Sequence, residues 1–266
     1  MPARIPGSYF ARNLVTSKSL LFQLVKRDLQ QKYVGSAAGW IWSIIHPLVL
    51  WVSYVFIFQT LSLSSIQHYP LILFVGMLPW FLFSDTVIRS SSTIIDHAGL
   101  ITKTMFPSEI LPVSIFLSSL ASHLVVTVIA TLVGCITLQS VNPALLLLPV
   151  WAFIAAFFSI GVSWIAAGLQ VYLRDTAQVV TVIMTFWFWL TPIFLTEKQF
   201  TKWGWGRWVL RWNPMTYFVR AYRTMLLGTG APPFHDVLIA TAFSVTVFVL
   251  GGLFFRHMKK GFADVL

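Results

Sequence analysis

Polar and apolar positions follow two regimes along the chain, a short amphipathic start and then a series of long apolar runs. The stretch from Val25 to Leu50, VKRDLQQKYVGSAAGWIWSIIHPLVL, carries the change from one to the other. Leu21, Val25 and Leu29 recur every four positions, and Leu24 widens the same stripe. Lys26, Arg27, Gln30 and Gln31 fall away from it, which predicts a helix lying on a membrane surface. Gly39 to Leu61 then holds no Asp, Glu, Lys or Arg, and is about long enough to cross a ~30 Å hydrocarbon core.

Six apolar stretches can span: Gly39–Leu61, Leu71–Ile88, Ile110–Leu138, Ala144–Leu169, Val179–Leu195 and Val237–Phe255. The second ends in polar residues and the fifth is short. Helices are the natural way to satisfy a backbone in lipid, and nothing alternates like a membrane barrel strand. The expectation is an all-α integral membrane protein forming one transmembrane domain over residues 1–266. Residues 1–38 hold a cytoplasmic amphipathic helix, 39–255 six transmembrane helices, and 256–266 a tail. The first 34 residues lack the apolar core of a cleavable signal peptide, so Gly39–Leu61 is expected to serve as the retained targeting signal.

Two connecting segments are informative. Ser90–Pro112, SSSTIIDHAGLITKTMFPSEILP, is too polar to span and too apolar for a free loop. It suits a compact cytoplasmic knob, with a short helix near Ser92–Ala98, or else a plain turn. Between Thr196 and Asp236, Lys198, Lys202, Arg207, Arg211, Arg220 and Arg223 alternate with Trp203, Trp205, Trp208, Trp212, Tyr217, Phe218 and Tyr222. That mixture predicts short interfacial or re-entrant helices between spans five and six, with rings at head-group level and basic groups in water. Asn213-Pro214 marks the break between two of them.

Composition and charge sharpen this picture. Hydrophobic residues make up 57% and charged residues only 10%, against about 25% charged in a soluble domain. The net charge of +10 points to lipid head groups rather than nucleic acid. Counted by segment, twelve Lys/Arg fall on one side and six on the other, which puts both termini in the cytoplasm. The single cysteine, Cys135, excludes an intrachain disulfide.

Candidate working residues follow. Trp40, Trp51, Tyr54 and Phe58 fall within about a 60° sector of the first span, and Trp187 and Phe194 lie seven apart on one face of the fifth. Such faces could line a channel that slides along sugar rings, or simply pack a membrane core. Asp85 and Arg89, four apart at the inner end of span two, form a same-face pair that is either a gate or structural. Glu109 is placed to cap span three, and Arg174-Asp175 forms a tight inner turn that could lock a cytoplasmic gate. The six histidines are scattered, none with metal-site spacing, so no metal is expected. No phosphate loop G-x-x-x-x-G-K-[ST] and no nucleophile motif occurs, so no enzymatic chemistry of the chain's own is expected.

Several stretches together resemble the membrane subunit of ABC exporters of the second type, particularly polysaccharide and O-antigen export permeases. They are Arg27-Asp28 with Tyr33, Ser36, Gly39, Trp42 and Pro47; Phe106-Pro107 with Glu109 and Leu111-Pro112; and Tyr172 with Arg174-Asp175. Thr191-Pro192-Ile193-Phe194, Asn213-Pro214 with Arg223, and the tail Phe262-Ala263-Asp264-Val265-Leu266 complete the pattern. Lys32 stands where arginine is expected and Ala38 where leucine is. The resemblance implies a multi-pass protein of the bacterial inner membrane, a second copy of itself, and two separate ATPase subunits. ATP and magnesium would belong to those partners, and a lipid-linked polysaccharide would pass between the two copies. It also implies that Leu20–Tyr33 and Ser91–Met105 touch the ATPase, which makes Arg27, Asp28, Tyr33, Asp96, Lys103, Phe106 and Glu109 the coupling residues. Capsule, teichoic-acid and drug or lipid exporters share the pattern. A membrane-embedded transferase would want an acid–base cluster, an ion-coupled carrier would want mid-span charges, and only His123 lies deep in a span. A passive channel fits the composition.

Overall fold

The computed structural model describes residues 17–33, 41–60, 66–103 and 106–266. Among them the elements are α1 (Lys18–Tyr33), α2 (Trp42–Thr60), α3 (Tyr69–Asp96), α4 (Ala98–Lys103), α5 (Ile110–Leu138) and α6 (Leu148–Tyr172). There follow α7 (Thr176–Leu190), α8 (Glu197–Phe200), α9 (Gly206–Trp212), α10 (Pro214–Leu226), α11 (Phe234–Met258) and α12 (Phe262–Val265). A 3-10 turn, Pro143–Leu147, leads into α6, and another, Lys259–Gly261, follows α11. The segments Tyr69–Asp96, Ile110–Leu138, Pro143–Tyr172 and Phe234–Gly261 are each long and apolar enough to cross a membrane. Ile44–Gln59 and Thr176–Leu190 are shorter apolar helices. The protein is all-helical over these residues and passes the membrane several times.

The third predicted stretch, Ile110–Leu138, is reproduced to the residue, and the fourth and sixth shift by three or four residues at each end. Helix α7 stops at Leu190, five residues before the expected Leu195, and the expected ends of the first stretch, Gly39 and Leu61, lie outside the described residues. The helix expected near Ser92–Ala98 is the continuation of α3, which runs unbroken to Asp96 before α4 begins. Twenty-eight residues extend about 42 Å, so α3 outruns a ~30 Å core and carries its polar last turns beyond it.

Helix α3 is the axis of the bundle. Of its most apolar window 72% is buried, against 22–39% for the other three long segments. It packs on α5, α6, α7 and α10, while α11 packs along α6. That last contact is backbone on backbone: a Cβ on Gly251 would lie 2.2 Å from the carbonyl oxygen of Gly161. Small residues at such crossings let dispersion contacts form where lipid offers no hydrophobic drive. The outward faces of α2, α5, α7 and α11 remain apolar and exposed, as Val52, Phe56, Val128, Leu132, Val182, Phe186, Val249 and Leu250 illustrate.

Helix α1 presents the predicted stripe inward, with Leu24 buried and Leu21, Val25 and Leu29 half-buried. Lys26, Arg27, Gln30 and Gln31 are exposed. The stripe is spent on α5.

Candidate functional site

The C-terminal half of α3 and the N-terminal half of α5 meet the bundle-facing side of α1 in a charged cluster. Arg89 donates to Asp28, and the hydroxyl of Ser118 donates to the other oxygen of the same carboxylate. Arg89 also reaches Asp85 at 3.5 Å, Asp85 accepts from Ser119 at 2.6 Å, and Lys32 lies 3.5 Å from Asp85. The expected Asp85–Arg89 pair is therefore real, but half of its partners come from α1. Asp28, grouped by resemblance with ATPase contacts, points the other way and fastens α1 to the bundle.

This cluster roofs a cavity of about 400 Å³ between α2, α3 and α5. Its polar lining includes Lys32, His46, Asp85, Ser119, Ser122 and His123. His123 shares its Nε2 with Tyr222 Oη at 2.9 Å and Thr127 Oγ1 at 3.2 Å. It also lines an apolar groove of about 740 Å³ between α5 and α6. The ring thus stands between the two spaces and is held from α10.

The aromatic candidates divide. Tyr54 and Phe58 of α2 meet Phe194, with ring centroids 4.8 and 4.9 Å apart, and Trp189 stacks on Phe194 at 4.7 Å. Trp51 donates its indole N–H to the carbonyl of Pro70 at 2.7 Å and packs on Phe74. Trp187 faces away from this group, towards Phe83 and Phe158, and donates to Asn213 Oδ1 at 2.9 Å. The shared face expected for Trp187 and Phe194 does not exist. Helix α7 ends at Leu190, and Thr191 to Phe194 turn away from its axis. Trp40 lies outside the described residues.

That early end explains a second constellation. Fifteen residues span only about 22 Å, so α7 leaves free carbonyls short of a full crossing. Asn213 Nδ2 donates to the carbonyl of Leu190 at 3.2 Å, and its Oδ1 caps Met215 at the start of α10. Arg223 donates to the carbonyls of Pro192 at 2.8 Å, Ile193 at 2.5 Å and Ile72 at 3.3 Å. A Cβ on Gly76 would come 2.9 Å from the same guanidinium. The motif residues Thr191 to Phe194, Asn213-Pro214 and Arg223 are thus one piece of structure.

The break at Asn213 falls where expected, but the basic groups of α10 do not face water. Arg220 donates to Glu197 at 2.7 Å and to both oxygens of Asp236 at 2.7 and 2.8 Å, while Tyr217, Phe218 and Tyr222 are buried. Burial opposes the charge on Arg220, and Glu197 and Asp236 outweigh it, holding its pKa above the usual value. An amphipathic pattern marks a buried face without saying whether lipid or protein covers it. Here α3, α6 and α11 cover it.

The remaining candidates named for coupling lie apart from this cluster. Arg27 and Asp96 are exposed, Asp96 accepting from Ser92 at 3.0 Å. Phe106 is half-buried, Lys103 closes α4, and Tyr33 closes α1, the side chains of the last two lying outside the described set. Glu109 makes no side-chain cap on α5. It is buried and accepts from Lys259 Nζ at 2.5 Å, while its carbonyl takes the Trp164 indole at 3.0 Å. The carboxylate faces Lys259 rather than the helix end. Arg174 and Asp175 are exposed, and Gln170 closes their turn by donating to the Arg174 carbonyl and accepting from Ala177.

Sequence reasoning missed Gln170, Asn142 and Lys259. Asn142 donates to the carbonyls of Met225 at 3.0 Å and Gly230 at 2.9 Å, pinning the end of α10. Its place before a proline marks it as a helix cap, which it also is, but not as a cross-link.

Comparison with known proteins bears on the whole arrangement. Over 253 residues the chain is 28% identical to the O-antigen export system permease protein RfbA of Myxococcus xanthus, covering 95% of this chain and 97% of that one. It is likewise 28% identical over 252 residues to the O-antigen export system permease protein RfbA of Klebsiella pneumoniae, covering 93% and 95%. Residues 19–227, from α1 through the Asn213 and Arg223 constellation to the end of α10, match the family described as ABC-2 type transporter. Since that match takes in well over half of its length, the chain belongs to the ABC-2 type transporter family.

Proposed function

We propose that the chain is the membrane-spanning permease subunit of an exporter that moves a lipid-linked polysaccharide, O-antigen in class, out of the cytoplasm across the bacterial inner membrane. The observation that carries this reading is the end-to-end similarity to two O-antigen export permeases, which leaves no large part of the chain unmatched. The reading takes the chain as a single permease unit with six spans, counting α2 and α7 with the four long segments, and with both termini cytoplasmic. It pairs the chain with a second copy, and the exposed apolar faces of α2 and α7 favour that partner or lipid. Energy comes from two ABC ATPase subunits, which hold the ATP and magnesium. Arg27 and Asp96 are exposed to meet them, and Tyr33, Lys103 and Phe106 join them in that contact, while Asp28 and Glu109 fasten the inner elements from beneath. The aromatic group of Trp51, Tyr54, Phe58 and Phe194 forms the wall against which sugar rings slide, with Asp85 and Arg89 at its inner mouth. The inner turn at Arg174-Asp175 closes the cytoplasmic side.

Deleting the gene and fractionating lipid-linked glycan tests this. Polymer accumulating on the cytoplasmic side while surface polysaccharide disappears is the expected result. Unchanged surface glycan sinks the assignment and moves a drug or lipid cargo forward.

A further inference from the structure

The outer segment carries six basic residues against two acids, Glu197 and Asp236. Both acids are engaged by Arg220. Asp236 also takes His235 Nε2 at 2.9 Å. Among the described residues neither Arg207 nor Arg211 forms a salt bridge with either acid, and the two arginines stand four residues apart, on one face of α9. Both line a pocket of about 230 Å³ with Tyr217, Arg220 and His235 over Leu210. The pocket's frame is fixed, because Tyr217 Oη donates to the Arg211 carbonyl at 2.8 Å and Arg220 sits over the Tyr217 ring. On the adjoining face of α9, Trp208 and Trp212 are exposed, also four apart. Indole rings at that position settle at the acyl boundary, and guanidinium groups beside them reach phosphate depth.

We infer that Arg207 and Arg211, with His235 at the rim, form a binding site for a lipid-borne phosphate in the leaflet that α9 faces. Ligand pockets for whole molecules run to roughly 300–1,000 Å³, so this one suits a phosphate head group with its tails left outside. Guanidinium pairs bind phosphate oxygens bidentately, which makes arginine the fitting residue. The same chemistry is offered by an acidic bulk phospholipid, whose phosphodiester charge no choline cancels, and by the terminal phosphate of a lipid-linked cargo. The site stands without the cargo assignment; only its placement in the outer leaflet rests on the proposed topology.

The test is native mass spectrometry of the full chain in neutral detergent, titrated with dioctanoyl phosphatidylglycerol, dodecyl phosphate and dioctanoyl phosphatidylcholine. The Arg207→Gln/Arg211→Gln variant should raise the Kd for the anionic probes at least tenfold and leave phosphatidylcholine unchanged. Both side chains are exposed, so its melting temperature should match that of the unaltered protein. Tighter phosphatidylglycerol binding supports the site with bulk lipid as its source, and tighter dodecyl phosphate binding supports it with a cargo phosphate. Unchanged Kd values overturn the proposal. So does an equal loss in Lys26→Gln/Arg27→Gln, which alters the exposed face of α1 instead.

Discussion

Asp28→Asn isolates the fastening of α1. In the folded protein this carboxylate takes the Arg89 guanidinium and the Ser118 hydroxyl, with Asp28 and Arg89 side chains 19% and 24% exposed. Hydrogen bonds to a charged group contribute about 1.5–3 kcal/mol each, and partial exposure lowers that. Arg89 is not stranded by the substitution, because Asp85 lies 3.5 Å away and can take it over. A net cost of about 2 kcal/mol follows, which raises the detached population of α1 roughly 30-fold. Hydrogen exchange of the Lys18–Tyr33 amides in nanodiscs reads this population, and exchange in α3 and α5 should stay unchanged. The Asp28→Asn/Arg89→Gln double variant should exchange no faster than Asp28→Asn alone, since both remove one interaction. Unaltered exchange in α1, or additive effects in the double variant, would refute the reasoning.

Three further outcomes are expected. Lys259→Met should lower stability by roughly 3 kcal/mol by removing the ammonium that faces the buried Glu109 carboxylate, with Glu109→Gln restoring most of it, as read by thermal unfolding in detergent. Recovery failing in the double variant would remove the ion pair as the cause. Gly251→Val should cost about 3 kcal/mol or block assembly, because the new side chain meets the Gly161 backbone, whereas Gly99→Ala, with open space around it, should be silent in the same assay. Trp51→Ala and Tyr54→Ala should slow export more than they lower protein level, and export unchanged in both would discard the aromatic wall.

Much of this architecture is legible in the sequence because membrane periodicity is a local signal. The α1 stripe, the α5 boundaries at Ile110 and Leu138, and the break at Asn213 each follow from a few adjacent residues. The Asp85–Arg89 pair is legible for the same reason, being one helical turn apart. Its third member is not: Asp28 lies 61 residues from Arg89, and Lys259 lies 150 residues from Glu109. Helix capping was the local inference for Glu109, and a distant cation displaced it. Arg220 and Arg223 look like solvated charges beside aromatic rings, since no pattern along the chain tells a lipid-facing helix from one tucked beneath neighbours. Their partners, two carboxylates and three carbonyls, come from α3, α8, α11 and the turn after α7. The early end of α7 was masked by Ile193, Phe194 and Leu195, which extend the apolar run past the helix.

The export claim is tested most directly in proteoliposomes. The chain would be reconstituted with its ATPase partner and a lipid-linked glycan confined to the outward-facing ATPase side, and glycan reaching the lumen would be scored by protection from a membrane-impermeant glycosidase. The account predicts ATP-dependent protection that vanishes when the ATPase is catalytically inactive or the chain is omitted. Protection that ignores ATP, or that never develops with both subunits present, would contradict it.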